Sequence, residues 1–411
     1  MKSKCFKVIL LTLLIASSHP GWAEAQKAPT QLSLDQLPRV YGLSVAASKP
    51  TQVMLATPLG LYLATPEGKA SAVAGLEGNV MAFAAHPANA RTFLAGGHVG
   101  KSGSIGVMLS SDGGKRWKQI SENAAGHVGF HILEFSKADP NTVYGITNGL
   151  RVSGDGGRTW RETGRLPEEL IHFAASARAV NTLYAATRKG LLISQDQGAS
   201  WKPAPLPPGI VSMVHVSNEG RVYAFVVGTG LMAAQEPALE WQKISSRFED
   251  QILLRMVLDP TQKNRMFAAT VTGAVVLSED GGGSWRSYEG SHNAKPEIIA
   301  RGATLFNSFC QSCHGATGKG QHTTPGFDSK NPPPIPAPAL DDSAHAWHHS
   351  DENLTSTILN GSPREGSPMI AWKGTINRPD AEALVAYIKS LWSFRSIACQ
   401  GARHMSCMQH Q

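Results

Sequence analysis

Through most of the chain the apolar positions fall in short runs rich in aromatic and β-branched residues, bounded by Gly, Asn, Asp and Ser, which is the pattern of strands and tight turns. The stretches 141–150 (NTVYGITNGL) and 181–191 (NTLYAATRKGL) are two strand–turn–strand examples. Equivalent runs begin near Thr51, Thr92, Thr142, Thr182, Val222 and Met266. After Trp285 the pattern changes. Residues 286–296 (RSYEGSHNAKP) are polar and predict a linker, and beyond them the period becomes helical. Gly302 and Phe306 stand one helical turn apart, and residues 351–361 predict a short helix with an acidic start and a Gly stop. Residues 378–392 predict an amphipathic helix with Pro379 in its first turn and Leu384 and Tyr387 on one face. The pattern divides the chain into a strand-rich unit at 36–290, a helical unit at 297–393 and a tail at 394–411.

The first 25 residues have a different character. Lys2, Lys4 and Lys7 precede an apolar stretch from Val8 to Ala16, too short to span a bilayer, and Ala23-Glu24-Ala25 follows as a small-residue cleavage pattern. This predicts a secretory signal peptide, a periplasmic or otherwise exported protein, and no membrane span once the peptide is removed.

Within the strand-rich unit one segment recurs four times with the pattern S-x-D-x-G-x-x-W. The copies are 110–117 (SSDGGKRW), 153–160 (SGDGGRTW), 194–201 (SQDQGASW) and 278–285 (SEDGGGSW). Two eroded copies, 230–241 and 60–73, complete the series. A repeat of roughly 40 to 50 residues is the size of a four-stranded propeller blade. The expected fold is therefore multidomain: an all-β propeller of six blades followed by a small all-α domain. A seventh blade is the alternative if the segment before Leu43 pairs with the end of the repeat.

The motif resembles that of the Asp-box (BNR) β-propellers, which include sialidases, sortilin-type receptors and photosystem II assembly-factor-like propellers. It speaks for fold and hardly at all for function. The carboxylates of Asp112, Asp155, Asp196 and Asp280 are expected to accept backbone N–H groups within their own turns while the Trp packs under the hairpin. A sialidase needs three arginines, a Tyr nucleophile and a Glu base. The nearest segment here, Leu37-Pro38-Arg39-Val40-Tyr41, does not match. Met81, His131, His172, Met213, His215 and Met256 fall on strands that open blades. They read as channel and core residues, with a ring of soft copper ligands as the sharper alternative.

The helical unit carries Cys310-Gln311-Ser312-Cys313-His314. C-x-x-C-H is the attachment motif for c-type haem, in which two thiols add to the vinyl groups and the His ligates iron. With Gly302, Phe306 and the last helix, the segment 297–393 is similar to class I cytochromes c. That resemblance implies one covalent haem c, a Met ligand from a loop before the last helix, and a Pro carbonyl that accepts the His Nδ1–H. Met369, in Gly366-Ser367-Pro368-Met369, matches the loop; His322, His345, His348 and His349 are rivals for a bis-His haem. The prolines of residues 331–338 (NPPPIPAP) offer the carbonyl, with no basis for choosing among them.

The tail departs from the family. Cys399 and Cys407 predict a disulfide in an oxidising compartment, with a copper site from Cys399, His404, Met405, Cys407, Met408 and His410 as the alternative.

Composition adds bounds. With 42% apolar and 17% charged residues, 41 glycines and 25 prolines, the chain is a folded, turn-rich protein. Removal of residues 1–25 lowers the formal charge from +7 to +5. A redox partner with an acidic surface fits that charge, and no nucleic-acid reading is called for. The expected function is an exported electron-transfer protein whose propeller docks a partner or binds substrate or metal. The alternatives are a propeller oxidoreductase with the haem as relay, and a copper-handling or assembly factor.

Overall fold

Each strand run folds with its sequence neighbours, giving six antiparallel sheets built from consecutive chain. The computed structural model describes residues 29–46, 49–99, 103–121, 129–246, 248, 251–288, 296–324, 326, 328–331, 333, 335–393, 396, 397, 399–401 and 404. The expected signal peptide lies outside these residues, as do Met405, Cys407, Met408 and His410.

Blade 1 is Gly42–Val45, Val53–Thr57, Gly60–Ala64 and Lys69–Glu77; blade 2 is Asn79–Ala85, Phe93–Val99, Gly103–Ser110 and Lys118–Ser121. Blade 3 is Ile132–Phe135, Val143–Ile146, Leu150–Ser153 and Arg161–Gly164; blade 4 is Leu170–Ala175, Leu183–Thr187, Gly190–Ser194 and Lys202–Pro203. Blade 5 is Val211–Val216, Arg221–Val226, Gly230–Gln235 and Gln242–Ser245; blade 6 is Leu253–Leu258, Met266–Thr270, Val275–Ser278 and Arg286–Ser287. The first strands of successive blades touch in order, and that of blade 6 touches that of blade 1, so the six blades form a closed ring. The described residues before Leu43 make no seventh blade. Gln31–Ser33 pairs instead with Lys69–Ser71 as a fifth, outermost strand of blade 1.

Among the described residues no strand is shared across the seam between blades 6 and 1. It is closed by a buried cluster that includes Leu37, Val40, Val53, Tyr62, Phe267, Val275 and Tyr288. Arg255 Nε donates to Tyr41 O at 2.5 Å. The Tyr288 hydroxyl donates to Thr51 O at 2.7 Å and lies 3.1 Å from Ala64 O. Tyr288 was expected in the polar linker. Its single aromatic ring among polar neighbours gave no period, and it is 1% exposed.

The recurring motif forms one turn four times. Ser110 Oγ accepts from Gly114 N at 2.9 Å and donates to Asp112 Oδ1 at 3.0 Å. Asp112 Oδ1 accepts from the N–H groups of Lys115 and Arg116. Asp155, Asp196 and Asp280 repeat the arrangement, so these carboxylates are spent on their own turns. The motif's fifth position needs glycine because φ is +87° at Gly198, where a Cβ would also stand 2.2 Å from Leu150 Cδ2 of the preceding blade. Trp117, Trp160 and Trp285 each donate Nε1–H to the carbonyl of that glycine. The eroded copy in blade 5 shows what the turn supplies, for Trp241 Nε1 is buried there with no acceptor.

The C-terminal domain contains α1 (Pro296–Phe309), α2 (Gln311–His314), α3 (Asp351–Asn360) and α4 (Arg378–Ser390). Helix α3 is capped by Ser350, whose side chain accepts from Asn353 N, and stops at Gly361. Helix α4 is capped by Asn377, with Pro379 in its first turn. The two terminal helices cross at Gly302. Around the crossing, Phe306 and Tyr387 pack with ring centroids 5.1 Å apart, over a core of Phe306, Ile358, Ile376, Ala381, Leu384 and Val385. Among the described residues no helix is long and apolar enough to cross a membrane.

The described residues after α4 are packed. Ile397 packs with Ala346, Ile388 and Trp392, and Gln400 donates to His349 O at 3.0 Å and Asp351 Oδ1 at 2.7 Å. On its other side the segment meets the propeller: Gln251 Nε2 lies 3.9 Å from Cys399 Sγ, and a Cβ on Gly401 would stand 2.6 Å from Asp35 Oδ2. The segment thus lies against both domains beside the ring seam.

Candidate functional site

The Cys310–His314 segment is held by helical continuity. Cys310 N donates to Phe306 O and His314 N to Cys310 O, so α2 follows directly from α1. Gly315 ends it at φ +80°. Cys310 and Cys313 are both free thiols, one half-buried and one exposed. Burial, and then Cys313 beside it, pushes the Cys310 thiol up to about 11.

His314 is buried, and its Nδ1–H donates to Pro338 O at 2.8 Å. Which carbonyl receives it was not legible from a run of prolines. The choice is made by Gln321, whose N–H donates to Ala337 O while its side-chain oxygen accepts from Ala337 N, both at 2.9 Å. That clamp fixes the next carbonyl against the imidazole. The bond assigns the proton to Nδ1 and leaves Nε2 as the ligating lone pair. Burial holds His314 below the ordinary histidine range, and the Pro338 bond works against that shift.

Met369 lies in a loop that leaves α3 at Gly361 and returns beside it. Trp372 N donates to Ile358 O and Lys373 N to Leu359 O; Ser362 N donates to Met369 O at 3.3 Å. The loop's surface includes Ile370, 59% exposed, next to Met369. The rival histidines lie elsewhere. His322 is in a short 3-10 turn at Gln321–Thr323. His345 and His348 flank Trp347, and His348 stacks on His404 of the tail with ring centroids 4.7 Å apart. Burial first, and then His404, His345 and His349, hold His348 below the ordinary range.

Two thiols spaced to meet one porphyrin edge, a Nδ1-anchored imidazole and a thioether on a pinned loop are a donor set that fits haem c. Cys310, Cys313, His314 and Met369 are the residues that could hold it.

Among the described residues the alternative reading of the blade-opening Met and His positions, a copper ring, does not assemble. Met213 is fully buried and Met256 nearly so, packed between blades 5 and 6 with Tyr223, Phe225 and Leu253. The reason is geometric: a blade's side chains project from the faces of its sheet toward neighbouring blades, and only the edge of the first strand borders the channel. His172 Nδ1 is bonded to Val214 O at 2.8 Å, and burial holds both His172 and His215 well below the ordinary range. Met81 is half-buried, and His131 pairs with His98, a residue the sequence did not bring forward. In the tail, Cys399 is disulfide-bonded and so offers no thiolate to copper. Its expected partner Cys407 lies outside the described residues. Among the described residues no three His, Cys, Asp or Glu side chains converge on a metal position.

Comparison with known proteins agrees with the helical domain. Residues 299–392 match the cytochrome c family. A 106-residue stretch is 29% identical to the cbb3-type cytochrome c oxidase subunit FixP of Bradyrhizobium sp. (strain ORS 278), covering 26% of this chain and 32% of that subunit. The chain therefore spans about a third of the length of that curated relative. The propeller is similar to the GH74 xyloglucanase of Xanthomonas campestris (18% identity, 62% of this chain, 46% of that one, TM-score 0.42). It is also similar to YCF48 of Cyanidioschyzon merolae (15% identity, 51% of this chain, 84% of that one, TM-score 0.34). Taken with the helix crossing and the Cys310–His314 segment, the match makes residues 299–392 a cytochrome c domain, of the family that carries covalently bound haem c, following a six-bladed β-propeller.

Proposed function

We propose that the protein is an exported electron carrier: Cys310 and Cys313 bind one haem c, His314 and Met369 ligate its iron, and the propeller docks a redox partner. The observation that carries this reading is the His314 Nδ1–Pro338 bond, which holds the imidazole with Nε2 free to ligate a haem iron. Bound there, haem supplies one-electron chemistry, and a thioether ligand favours its ferrous state. The chain's own residues orient and shield the group. Phe309, just before the thiol segment, and Trp372, just after the methionine loop, pack edge to face at 5.2 Å. Ile370 offers an exposed apolar contact, with the cations Arg364 and Lys373 exposed on the same loop, which suits a partner of acidic surface.

The test is spectroelectrochemistry of the purified holoprotein with small mediators, run beside a fluorogenic sialoside screen. One covalent haem that cycles reversibly, with no sialoside turnover, is the expected result. Absence of covalent haem, or sialoside turnover lost on mutating a propeller residue with the haem intact, would overturn the reading.

A further inference from the structure

Where blade 2 meets blade 3, two histidines aim the same nitrogen at one point. His98, on the second strand of blade 2, and His131, just before the first strand of blade 3, bring their Nε2 atoms to 3.5 Å. Nitrogen–oxygen hydrogen bonds cluster near about 2.9–3.0 Å, so this is a long separation for one imidazole donating to another. Two imidazole nitrogens bound to one tetrahedral cation at about 2.0–2.1 Å are about 3.4 Å apart. The spacing suits a shared cation better than a hydrogen bond.

The surroundings bring the strands together at this point. Gly97 has φ +153°, and a Cβ there would stand 2.0 Å from Asn79 O; a Cβ on Gly129 would stand 2.3 Å from Gly97 O and 3.0 Å from His98 Cε1. Register shifts at Val80/Ala82 and at Gly96/His98 turn the strands locally. Directly across the sheet from His98 is Asn79, whose Oδ1 is buried without a hydrogen-bond partner. An amide oxygen without a partner, on the residue paired with His98, and two imidazole nitrogens 3.5 Å apart are groups that a cation can bind.

We propose that His98 Nε2, His131 Nε2 and Asn79 Oδ1 form a site for a divalent cation of borderline softness, of the Zn2+ or Cu2+ class, with water completing the shell. Imidazole nitrogen with an amide oxygen selects that class over Mg2+ or Ca2+, and the partial exposure of His131 leaves the ion exchangeable. The site is separate from the haem domain and from the tail histidines.

The experiment titrates haem-loaded full-length protein with Zn2+ by calorimetry and records electron paramagnetic resonance of the ferric protein loaded with one equivalent of Cu2+. One equivalent of Zn2+ should be lost in His98→Ala/His131→Ala and kept in the tail variant His404→Ala. Asn79→Ala should weaken binding roughly tenfold. The Cu2+ spectrum should carry superhyperfine splitting from two imidazole nitrogens. His131→Gln, at an exposed position, guards against misfolding: unchanged thermal unfolding with lost binding supports the site. Wild-type stoichiometry and affinity in the double variant, binding lost only in His404→Ala, or no stoichiometric Zn2+ in the wild type would each overturn it.

Discussion

Gly302 of α1 lies so close to Ala383 of α4 that a Cβ on the glycine would stand 2.0 Å from the Ala383 carbonyl oxygen and 2.8 Å from Tyr387 Cβ. The terminal helices of the haem domain meet backbone to backbone there. Gly302→Ala must push them apart, and the overpacking is expected to cost the domain about 1–3 kcal/mol. Calorimetry should show the haem-linked transition falling in temperature while the propeller transition stays in place. An unmoved haem transition would mean that the helices do not cross at this glycine.

Met369→Ala removes the thioether. The sulfur-to-ferric-iron charge-transfer band should disappear and the midpoint potential should fall, by a sizeable part of the roughly 0.8 V range that axial ligands span. An unchanged spectrum would assign the ligand to His322, His345, His348 or His349.

The turn carboxylates give the propeller an acid limit. Hydrogen bonds from the Ser200 hydroxyl and N–H hold Asp196 at about 2, and those from Ser284 hold Asp280 at about 2. The Arg116 side chain and N–H hold Asp112 lower still. Folded values depressed below the unfolded value of about 3.9 contribute stability that is full above that value and is lost as pH falls through the folded one. Propeller unfolding should therefore ease steeply between about pH 4 and pH 2 and be flat from about pH 5 to 7 in this contribution. Asp196→Asn with Asp280→Asn should flatten the acid limb, and a limb of unchanged steepness would count against the assignment.

Tyr288→Phe deletes the hydroxyl that reaches Thr51 O and Ala64 O across the ring seam. The expected loss is about 1–2 kcal/mol. Hydrogen exchange should accelerate in Val53–Thr57 and Val275–Ser278 and stay unchanged in blades 3 and 4. Uniform acceleration around the ring would show that the seam is no weaker than other blade boundaries.

What the sequence showed and what it hid follow from the range of the interactions. The S-x-D-x-G-x-x-W turns are local, so the repeat, with its resemblance to Asp-box propellers, was enough to assign Asp112, Asp155, Asp196 and Asp280 to scaffolding. Pro379 at the start of α4 and the haem motif of Cys310, Cys313 and His314 were legible for the same reason, each being a short local pattern. Pro338 was hidden among its neighbours because the choice of carbonyl depends on Gln321, a residue of another segment. Met213 and Met256 were placed beside the channel because strand position is readable from sequence, whereas the direction of a side chain across blades is not. Tyr288 read as part of a polar linker; its burial comes from blade 1, more than 200 residues earlier in the chain. His98 escaped notice because only the backbone irregularities at Gly96 and Gly97 turn it toward His131.

The seam described above also bears on how such a ring can change. Each blade is one uninterrupted stretch of chain, and neighbours along the chain are neighbours around the channel. Among the described residues no blade lends a strand to another. The ring's termini could be relocated to another inter-blade connection, or a blade duplicated or deleted, with only blade-to-blade side-chain packing to be re-formed. Modularity of this kind makes blade number an evolvable quantity, held at six here by how closely Tyr288, Phe267 and Val275 fit against Val53 and Tyr62.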